Sequence, residues 1–341
     1  MAAPTTSAAA APAENPACFS SAPPPPKRLR GGTIRTTRAS DLRANSPTRR
    51  LTTGCPLLDE ALRGGLRTGC LHEIVGESNC GKTQLCLQLL LTSQWSERDG
   101  GLGCRSLYVN TEGSGGVATT RLRELGNFHA SKGFIPEDSA LDNVFVERCN
   151  ADDPTALLSV LLRSQTLLRL HNVRLIVVDS VANAFRGLSG AAEDAADQHR
   201  QTRMAEVLAL LKSLAHRYDA CVVLTNHVSD YIDRDPTHRA LQTVTPSLVT
   251  SGRFVRPSLG HQVAAAVNTR YFVSRLQGLR LNESDYDTSG CVRALRVEFS
   301  PHQEERETKF IINSGGAWGI PEEVYRTGAT SEYAPAGPGD A

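Results

Sequence analysis

The sequence predicts an α/β fold in which helices cover both faces of a mostly parallel, twisted sheet. Two unbroken apolar runs, at residues 175–178 and 220–224, are typical of strands buried on both faces, as strands in a parallel sheet are. Helical patterns lie between the strands: leucines dominate residues 154–170, and residues 204–215 carry one apolar stripe. Short strands that alternate with helices indicate a doubly wound α/β core.

The overall composition narrows the class of protein. The 341 residues fit one large domain with tails or two small domains, and a hydrophobic content of 40% supplies a full core. The net charge of +1 gives no global basic field, so any contact with DNA must be local. The nine cysteines form no C-x-x-C pair, which argues against a zinc ribbon and fits a reducing compartment. Neither a membrane-spanning run nor a signal peptide is recognisable.

The two ends of the chain differ from its middle. Residues 1–50 are rich in Ala, Pro, Ser and Thr and have almost no large apolar residues, so we expect a disordered tail. Residues 27–50 hold eight Lys or Arg and one Asp, which fits a nuclear-import address, a DNA-contacting arm or a solvated linker. The core is predicted over 51–320, and residues 321–341 are predicted to form a flexible tail.

The strongest motif is a phosphate-binding loop of the form G-x-x-x-x-G-K-[ST]. It consists of Gly76, Glu77, Ser78, Asn79, Cys80, Gly81, Lys82 and Thr83. The glycines allow backbone N–H groups to face phosphate oxygens, Lys82 supplies a positive charge, and the Thr83 hydroxyl can ligate Mg²⁺. A predicted strand at 71–75 precedes the loop and a buried helix at 84–95 follows it, which is the context that the motif requires.

Two carboxylates are candidates for the remaining chemistry. Asp179 ends the apolar run at 175–179, at the edge where open α/β sheets bind ligands, so it is the predicted partner of Thr83 on Mg²⁺. The alternative is an Asp that caps the next helix. Glu112 ends the neighbouring strand and is the predicted base that activates water. Spacing alone would equally allow a surface or capping role for Glu112.

The remaining elements follow in order. A strand is predicted at 107–109, a helix at 120–125 and a strand at 144–146. Periodicity fades over 229–259, which predicts a long loop, and such loops are usually functional or disordered. The strands predicted at 270–274, 292–299 and 309–313 indicate an antiparallel addition to the sheet.

These stretches together resemble the eukaryotic RecA-like DNA recombinases, and among them the recombinase paralogues of the X-ray-repair cross-complementing group three type. The resemblance covers roughly residues 51–320. It rests on the ordered set of stretches 51–56, 62–65, 73–89, 108–112, 175–180, 224–228, 257–260, 268–270, 299–301 and 318–320. The phosphate loop is generic, whereas the ordered set is specific.

The resemblance implies a RecA-like ATPase core that acts in homologous recombination and double-strand break repair in the nucleus. It places Glu112 on the catalytic glutamate, and Lys82, Thr83 and Asp179 on the ATP and Mg²⁺ ligands. It also implies single-stranded DNA contacts in two loops, where Arg186, Arg253 and Arg256 are candidates, with solvated loop charge as the alternative for the last two. The expected partner is a C-type recombinase paralogue, which forms a heterodimer that assists the main strand-exchange recombinase.

Several positions depart from the family pattern. His227 stands where full recombinases carry the Gln that links the γ-phosphate to the DNA loop. Unlike a Gln, a histidine changes its charge near neutral pH. Ala265 replaces a His used for sensing ATP between protomers. Arg121, the candidate adenine platform, lies about two residues further after Glu112 than the corresponding Arg of the family does. The family's N-terminal helical DNA-binding domain has no counterpart in the first fifty residues, where Phe19–Ala22 matches the weak Phe-x-x-Ala docking pattern.

Three functions are compatible with these observations. The first is an ATP-dependent recombination mediator with weak, DNA-dependent ATP hydrolysis. The second is an ATP-binding structural subunit of a paralogue complex with negligible turnover, which His227 and Ala265 favour. The third is a different RecA-fold motor such as a hexameric helicase, against which the stretches around Pro257 and Trp318 argue.

Overall fold

The computed structural model describes residues 49–111, 115–136, 139–185, 195–231, 248–276 and 291–326. The strands are β1 Arg50–Leu51, β2 Leu66–Arg67, β3 Leu71–Gly76, β4 Arg105–Asn110, β5 Val144–Arg148, β6 Val173–Asp179, β7 Cys221–Asn226, β8 Val228–Asp230, β9 Leu248–Thr250, β10 Arg253–Pro257, β11 Thr269–Arg275, β12 Arg293–Phe299, β13 Glu307–Asn313 and β14 Gly316–Gly319. The α-helices are α1 Pro56–Ala61, α2 Lys82–Thr92, α3 Gly115–Ser131, α4 Pro154–Leu170, α5 Val181–Ala184, α6 Ala195–Tyr218, α7 Gly260–Ala266 and α8 Glu322–Arg326.

One nine-stranded sheet organises the described residues, in the order β14-β13-β12-β11-β3-β7-β6-β4-β5. All neighbours from β11 to β5 pair in parallel, whereas β12, β13 and β14 are added antiparallel at one side. This arrangement confirms the predicted parallel sheet with an antiparallel C-terminal addition. None of the helices described combines the length and apolarity that a membrane span requires.

Strand β6 shows why the apolar run at its centre is unbroken. Leu175 and Val177 pack into the core on one face of the sheet, and Ile176 and Val178 pack into the core on the other face. Because successive side chains of a strand point to opposite faces, a strand covered by helices on both sides needs apolar residues at every position. The same reasoning explains β7, whose residues are all buried.

The helix after the phosphate loop is tied to both ends of the core through one amide side chain. Gln88 of α2 is buried; its Nε2 donates to the Thr53 carbonyl at 2.6 Å, and its Oε1 accepts from the Ala317 N–H at 2.6 Å. Thr53 lies ahead of β3, and Ala317 lies in β14, the last strand. The NH₂ group and the oxygen of the Gln88 side-chain amide are therefore both used to join distant parts of the chain.

The stretch predicted as a long loop at 229–259 contains ordered strands in its described parts. Strands β8, β10 and β9 form a separate three-stranded antiparallel sheet in that order. Thr250 pairs with Arg253, so only Ser251 and Gly252 connect β9 to β10, with φ angles of 50° and 74°. Two central residues at positive φ are the signature of a type I′ hairpin turn, and the Ser-Gly pair was the signal in the sequence.

The core extends slightly beyond the predicted limits at each end. Arg49 donates to Asp219 at 2.8 Å, and Arg50 starts β1, although both residues fall in the predicted tail. At the other end, α8 follows Ile320, and its Val324 packs against an apolar cluster that includes Ile311 and Ile320. The prediction missed α8 because five residues are too few to show helical periodicity.

Candidate nucleotide-binding site

The phosphate loop has the strand–loop–helix context that the motif predicted. Strand β3 ends at Gly76 and α2 begins at Lys82, with Gly81 preceding the helix at φ 110°. A Cβ atom on Gly76 would lie 2.4 Å from the Val273 carbonyl oxygen, and one on Gly81 would lie 2.6 Å from Ile312 Cδ1. Close packing therefore requires glycine at both positions, and the positive φ angle is a second reason at Gly81.

The Lys82 side chain is folded onto its own loop. The buried ammonium group donates to the carbonyl oxygens of Gly76 and Glu77, at 2.9 and 2.8 Å. The carbonyl oxygens hold the ammonium group inside the loop, where a phosphate oxygen could also accept its hydrogen bonds. The first turn of α2 adds N–H groups that have no carbonyl partner within the helix.

Asp179 lies opposite the loop at the end of β6 and binds three hydroxyl groups. Its Oδ2 accepts from Thr83 Oγ1 at 2.7 Å and from the Tyr108 hydroxyl at 3.1 Å, and its Oδ1 accepts from Thr225 Oγ1 at 2.5 Å. The prediction that Asp179 and Thr83 meet is therefore supported by their contact. A carboxylate oxygen of Asp179 and the hydroxyl oxygen of Thr83 are the kind of ligands that Mg²⁺ takes, with water completing its coordination.

A cavity of about 540 Å³ opens above the loop. Its wall consists of residues from the loop, α2, α3, the β12–β14 region and the end of β7: Ser78, Asn79, Gly81, Lys82, Thr83, Gln84, Arg121, His227, Arg293, Ile312, Asn313 and Ser314. Five of the eight predicted loop residues belong to this wall. Gly76, Glu77 and Cys80 do not; Cys80 is fully buried, and burial raises the pKa of its thiol.

Arg121 lines the cavity and is held there by hydrogen bonds to three other residues of its wall. Its Nε donates to Gln84 Oε1 at 2.8 Å, and its other nitrogens donate to the carbonyl oxygens of Asn313 and Ser314. These bonds fix the guanidinium plane against the β13–β14 turn. A planar cation held in this way can stack on an aromatic base, so the role of Arg121 as an adenine platform stays a prediction that the position supports.

His227 lies at the cavity wall directly after β7. Its Nε2 is 3.2 Å from the hydroxyl oxygen of Ser180, the residue after Asp179. Because Ser180 follows Asp179, a movement of Asp179 can reach the imidazole of His227 through Ser180. The assignment of His227 as a sensor remains a prediction.

The structure adds one charged wall residue that the sequence analysis missed. Arg293, the first residue of β12, lines the cavity, and its Cδ lies near the position that a Gly81 side chain would occupy. Its Nη1 donates to the Cys291 carbonyl, but its buried Nε has no hydrogen-bond partner among the described residues. A buried N–H without a partner is costly, so it fits an anion bound in the cavity. No motif marks this arginine, because the sheet brings it to the loop from far along the chain.

Two predicted DNA-contacting residues that the structure describes, Arg253 and Arg256, do not line this cavity. Glu112, Arg186 and Phe19–Ala22 lie outside the described residues, so their roles stay predictions. Arg253 forms ion pairs with Glu77 at 3.2 Å and Asp230 at 2.9 Å, whereas Arg256 is exposed on the same strand, β10. The candidate DNA residues that are described therefore lie on the β9–β10 hairpin rather than at the cavity.

Comparisons with known proteins agree with this arrangement. Residues 45–319 match the model of the Rad51 family. The chain is 36% identical over 293 residues to the DNA repair protein XRCC3 homolog of Arabidopsis thaliana, covering 81% of this chain and 94% of that protein. It is 32% identical over 278 residues to DNA repair protein XRCC3 of Bos taurus, covering 80% and 75%. It is 31% identical over 286 residues to the DNA repair and recombination protein RadA of Aeropyrum pernix, covering 83% and 76%. These matches confirm the resemblance to XRCC3-type paralogues with a RecA-like fold, and the chain belongs to the Rad51 family.

Proposed function

We propose that this protein binds ATP and Mg²⁺ and acts in DNA repair by homologous recombination, as a nuclear paralogue that assists assembly of the strand-exchange filament. The proposed catalytic activity is weak, DNA-dependent ATP hydrolysis. The names of its relatives, XRCC3 and RadA, support the repair and recombination role. The geometry of the cavity supports the nucleotide.

The observation that carries the proposal is that Lys82 and Thr83 line one cavity and that Asp179 contacts Thr83 there. The ammonium group of Lys82 and the N–H groups at the start of α2 are donors for phosphate oxygens. Thr83 and Asp179 are already 2.7 Å apart and are the residues that would hold the metal. Bound Mg²⁺ supplies positive charge that neutralises the phosphates during transfer.

The chain's own residues set the conditions around the metal site. Tyr108 and Thr225 donate hydrogen bonds to Asp179 and fix the direction of its carboxylate. Arg121 and Arg293 place two further cations at the wall of the cavity. In the proposal, Glu112 accepts the proton of the attacking water, in the role that the resemblance implies.

Single-stranded DNA is proposed to bind at the β9–β10 hairpin. Phe254 and Val249 form a cross-strand pair, and both are about half exposed, at 56% and 47%. Arg256 is exposed on β10 and forms no ion pair with a described residue. An exposed aromatic ring beside a basic side chain suits base stacking combined with phosphate contact, which is how proteins bind single strands without sequence preference.

The proposed protein partner is a C-type recombinase paralogue. Strand β5 is the outer strand on the parallel side of the nine-stranded sheet, and Val146 in it is 47% exposed. A small apolar groove beside it is lined by Leu87, Leu122, Leu141 and Val144, among others. An edge strand next to an apolar pocket can accept an extended peptide as an added strand.

A second candidate is an ATP-binding structural subunit with negligible turnover. The observation that favours it is His227, whose imidazole contacts Ser180 and cannot make the paired amide contacts of a Gln. In that case the nucleotide fixes the shape of the protein for its partner. The two candidates share the cavity and differ only in hydrolysis.

Single-turnover ATP hydrolysis, with and without single-stranded DNA, tests the proposal. We expect wild type to bind ATP–Mg and to hydrolyse it faster with DNA, and we expect Glu112→Gln to bind ATP but lose turnover. Lys82→Ala should lose nucleotide binding and keep its fold, with the exposed Lys212→Ala on α6 as the matched control. Failure of wild type to bind ATP would overturn the proposal. If wild type and Glu112→Gln both bind ATP but neither hydrolyses it, the protein is the structural subunit.

A further inference from the structure

The side chain of Glu77 belongs to the phosphate loop but does not line the nucleotide cavity. Its Oε1 accepts hydrogen bonds from Thr250 at 2.8 Å, Ser251 at 2.7 Å and Arg275 at 3.0 Å. Its Oε2 accepts from Arg253 at 3.2 Å. Three of these four donors belong to the β9–β10 hairpin and its turn. One residue of the phosphate loop therefore holds the hairpin proposed to face DNA.

The charges in this contact make it dependent on an ionised carboxylate. Burial disfavours the charged form of Glu77, but hydrogen bonds from Arg275, Ser251 and Thr250 outweigh that effect and lower its pKa to about 2. The carboxylate is thus negative at neutral pH and is shared by two guanidinium groups. Charge-assisted hydrogen bonds of this kind are stronger and more directional than neutral ones.

An apolar cluster attaches the same hairpin to the same end of the central strand. Leu248 of β9 and Val255 of β10 pack with Val75 and Phe272. Val75 directly precedes Gly76, so the hairpin contacts the strand leading into the loop as well as the loop itself. A displacement of the loop is therefore passed to a packed unit and not to a single side chain.

Lys82 connects this network to the phosphates. Its ammonium group donates to the main-chain carbonyl of Glu77 at 2.8 Å, while the side chain of Glu77 holds the hairpin. An ammonium group has three N–H donors, and the carbonyl oxygens of Gly76 and Glu77 take two of them, so a phosphate oxygen can accept the third. A phosphate that draws the ammonium group toward the cavity also draws the backbone of Glu77 bonded to it, and the carboxylate of Glu77 moves with that backbone.

We propose that Glu77 is a positioning residue that couples nucleotide binding in the cavity to the placement of the hairpin at residues 248–257. This inference rests on the proposed function, because it assumes an ATP site and a DNA surface. The coupling works in both directions: a DNA phosphate that takes Arg253 from Glu77 loosens the same contact from the other side. By linkage, DNA then changes the affinity for ATP by the factor by which ATP changes the affinity for DNA.

Amide hydrogen exchange on the full chain tests the coupling without DNA and without hydrolysis. In wild type, ATP–Mg should change the exchange rate of residues 248–257 by about fivefold or more. In Glu77→Gln, which keeps an oxygen acceptor but loses the charge, this response should fall below about twofold. Asp230→Asn is the matched control, because it removes the other ion pair of Arg253 and leaves Glu77 intact, so its response should remain.

A thermodynamic cycle completes the test and separates the two levels of the proposal. The affinity for ATP is measured with and without a single-stranded oligonucleotide for wild type, Glu77→Gln and Asp230→Asn. We expect the coupling factor to fall to about one in Glu77→Gln and to keep its wild-type value in Asp230→Asn. If both ligands bind wild type but Glu77→Gln keeps full coupling, the inference is wrong and the proposed function survives. If wild type binds neither ligand, both are overturned.

Discussion

Replacing His129 by leucine should stabilise the protein and reduce its sensitivity to acid. His129 lies in α3 and is only 2% exposed, and neither of its ring nitrogens has a hydrogen-bond partner among the described residues. Trp95 packs beside it, with ring centroids 5.3 Å apart, and the structure describes no hydrogen-bond partner for Trp95 Nε1. The imidazole is therefore a polar group in an apolar site.

At neutral pH the expected gain comes from removing unsatisfied polar atoms. A buried donor or acceptor without a partner costs about 1–3 kcal/mol, and a substitution of similar volume costs less than about 1.5 kcal/mol in repacking. His129→Leu should therefore raise the free energy of unfolding at pH 7 by about 1 kcal/mol.

The larger effect is on the pH dependence. Burial lowers the pKa of His129 from 6.5 to about 4. The unfolded chain takes up a proton near pH 6.5, but the folded chain does so only near pH 4, so wild type loses stability as the pH falls through this window. At 1.36 kcal/mol per pKa unit, the full loss is about 3 kcal/mol, of which about 2 kcal/mol falls between pH 7 and pH 5.

Urea denaturation of the full chain at pH 7 and pH 5 measures both effects. His129→Leu should lose about 2 kcal/mol less than wild type between these pH values. Part of the acid sensitivity should remain, because burial also lowers the pKa of His72 to about 4. The exposed His216→Leu on α6 is the matched control and should behave as wild type. An unchanged pH dependence in His129→Leu, or a clear loss of stability at pH 7, would refute the reasoning.

Three further predictions concern the nucleotide site and the sheet beneath it. Asp179→Asn should weaken Mg²⁺-dependent ATP binding by about tenfold or more and change metal-free binding little, because it removes the charge beside Thr83; equal losses with and without Mg²⁺ in a fluorescent-nucleotide titration would contradict this. Arg293→Gln should weaken ATP binding more than adenosine binding, because the guanidinium lines the cavity and its buried Nε has no partner within the described segments, so it is placed to donate to phosphate oxygens; equal losses for both ligands in calorimetric titration would contradict this. Arg270→Leu should lower the free energy of unfolding by about 3–5 kcal/mol, because it leaves the buried carboxylate of Glu73 without its ion-pair partner. The control Arg63→Ala, at the exposed pair with Glu304, should lower it by less than about 1 kcal/mol. A small loss for Arg270→Leu would show that other donors satisfy Glu73.

Much of the fold could be predicted because the signals were local. The unbroken run that ends at Asp179 indicated a strand covered on both faces, and β6 spans Val173–Asp179. The leucine-rich helix predicted at 154–170 coincides with α4. The meeting of Thr83 and Asp179 was also predictable, because the carboxyl ends of parallel strands lie at one edge of a sheet.

The rest depended on contacts between residues far apart in the chain. Arg293 reaches the cavity only because β12 is added antiparallel beside β11, and no local pattern distinguishes it from other arginines. The hairpin at residues 248–257 was mistaken for loop because its strands are only three and five residues long, and because its anchor, Glu77, lies in a distant motif. Side-chain networks of this kind appear only after the topology is known.

The order of strands in the sheet has a consequence for synthesis on the ribosome. Strand β3, which leads into the phosphate loop, is translated early but lies between β7 and β11, which are translated much later. Gln88 also needs Ala317, which lies near the end of the described chain. A nascent chain therefore leaves β3, which is fully buried in the finished protein, without its neighbouring strands until most of the protein has been made, and such delayed long-range pairing favours aggregation. We expect the unfinished chain to need protection by chaperones until β14 is released, and truncations ahead of residue 316 to yield insoluble protein.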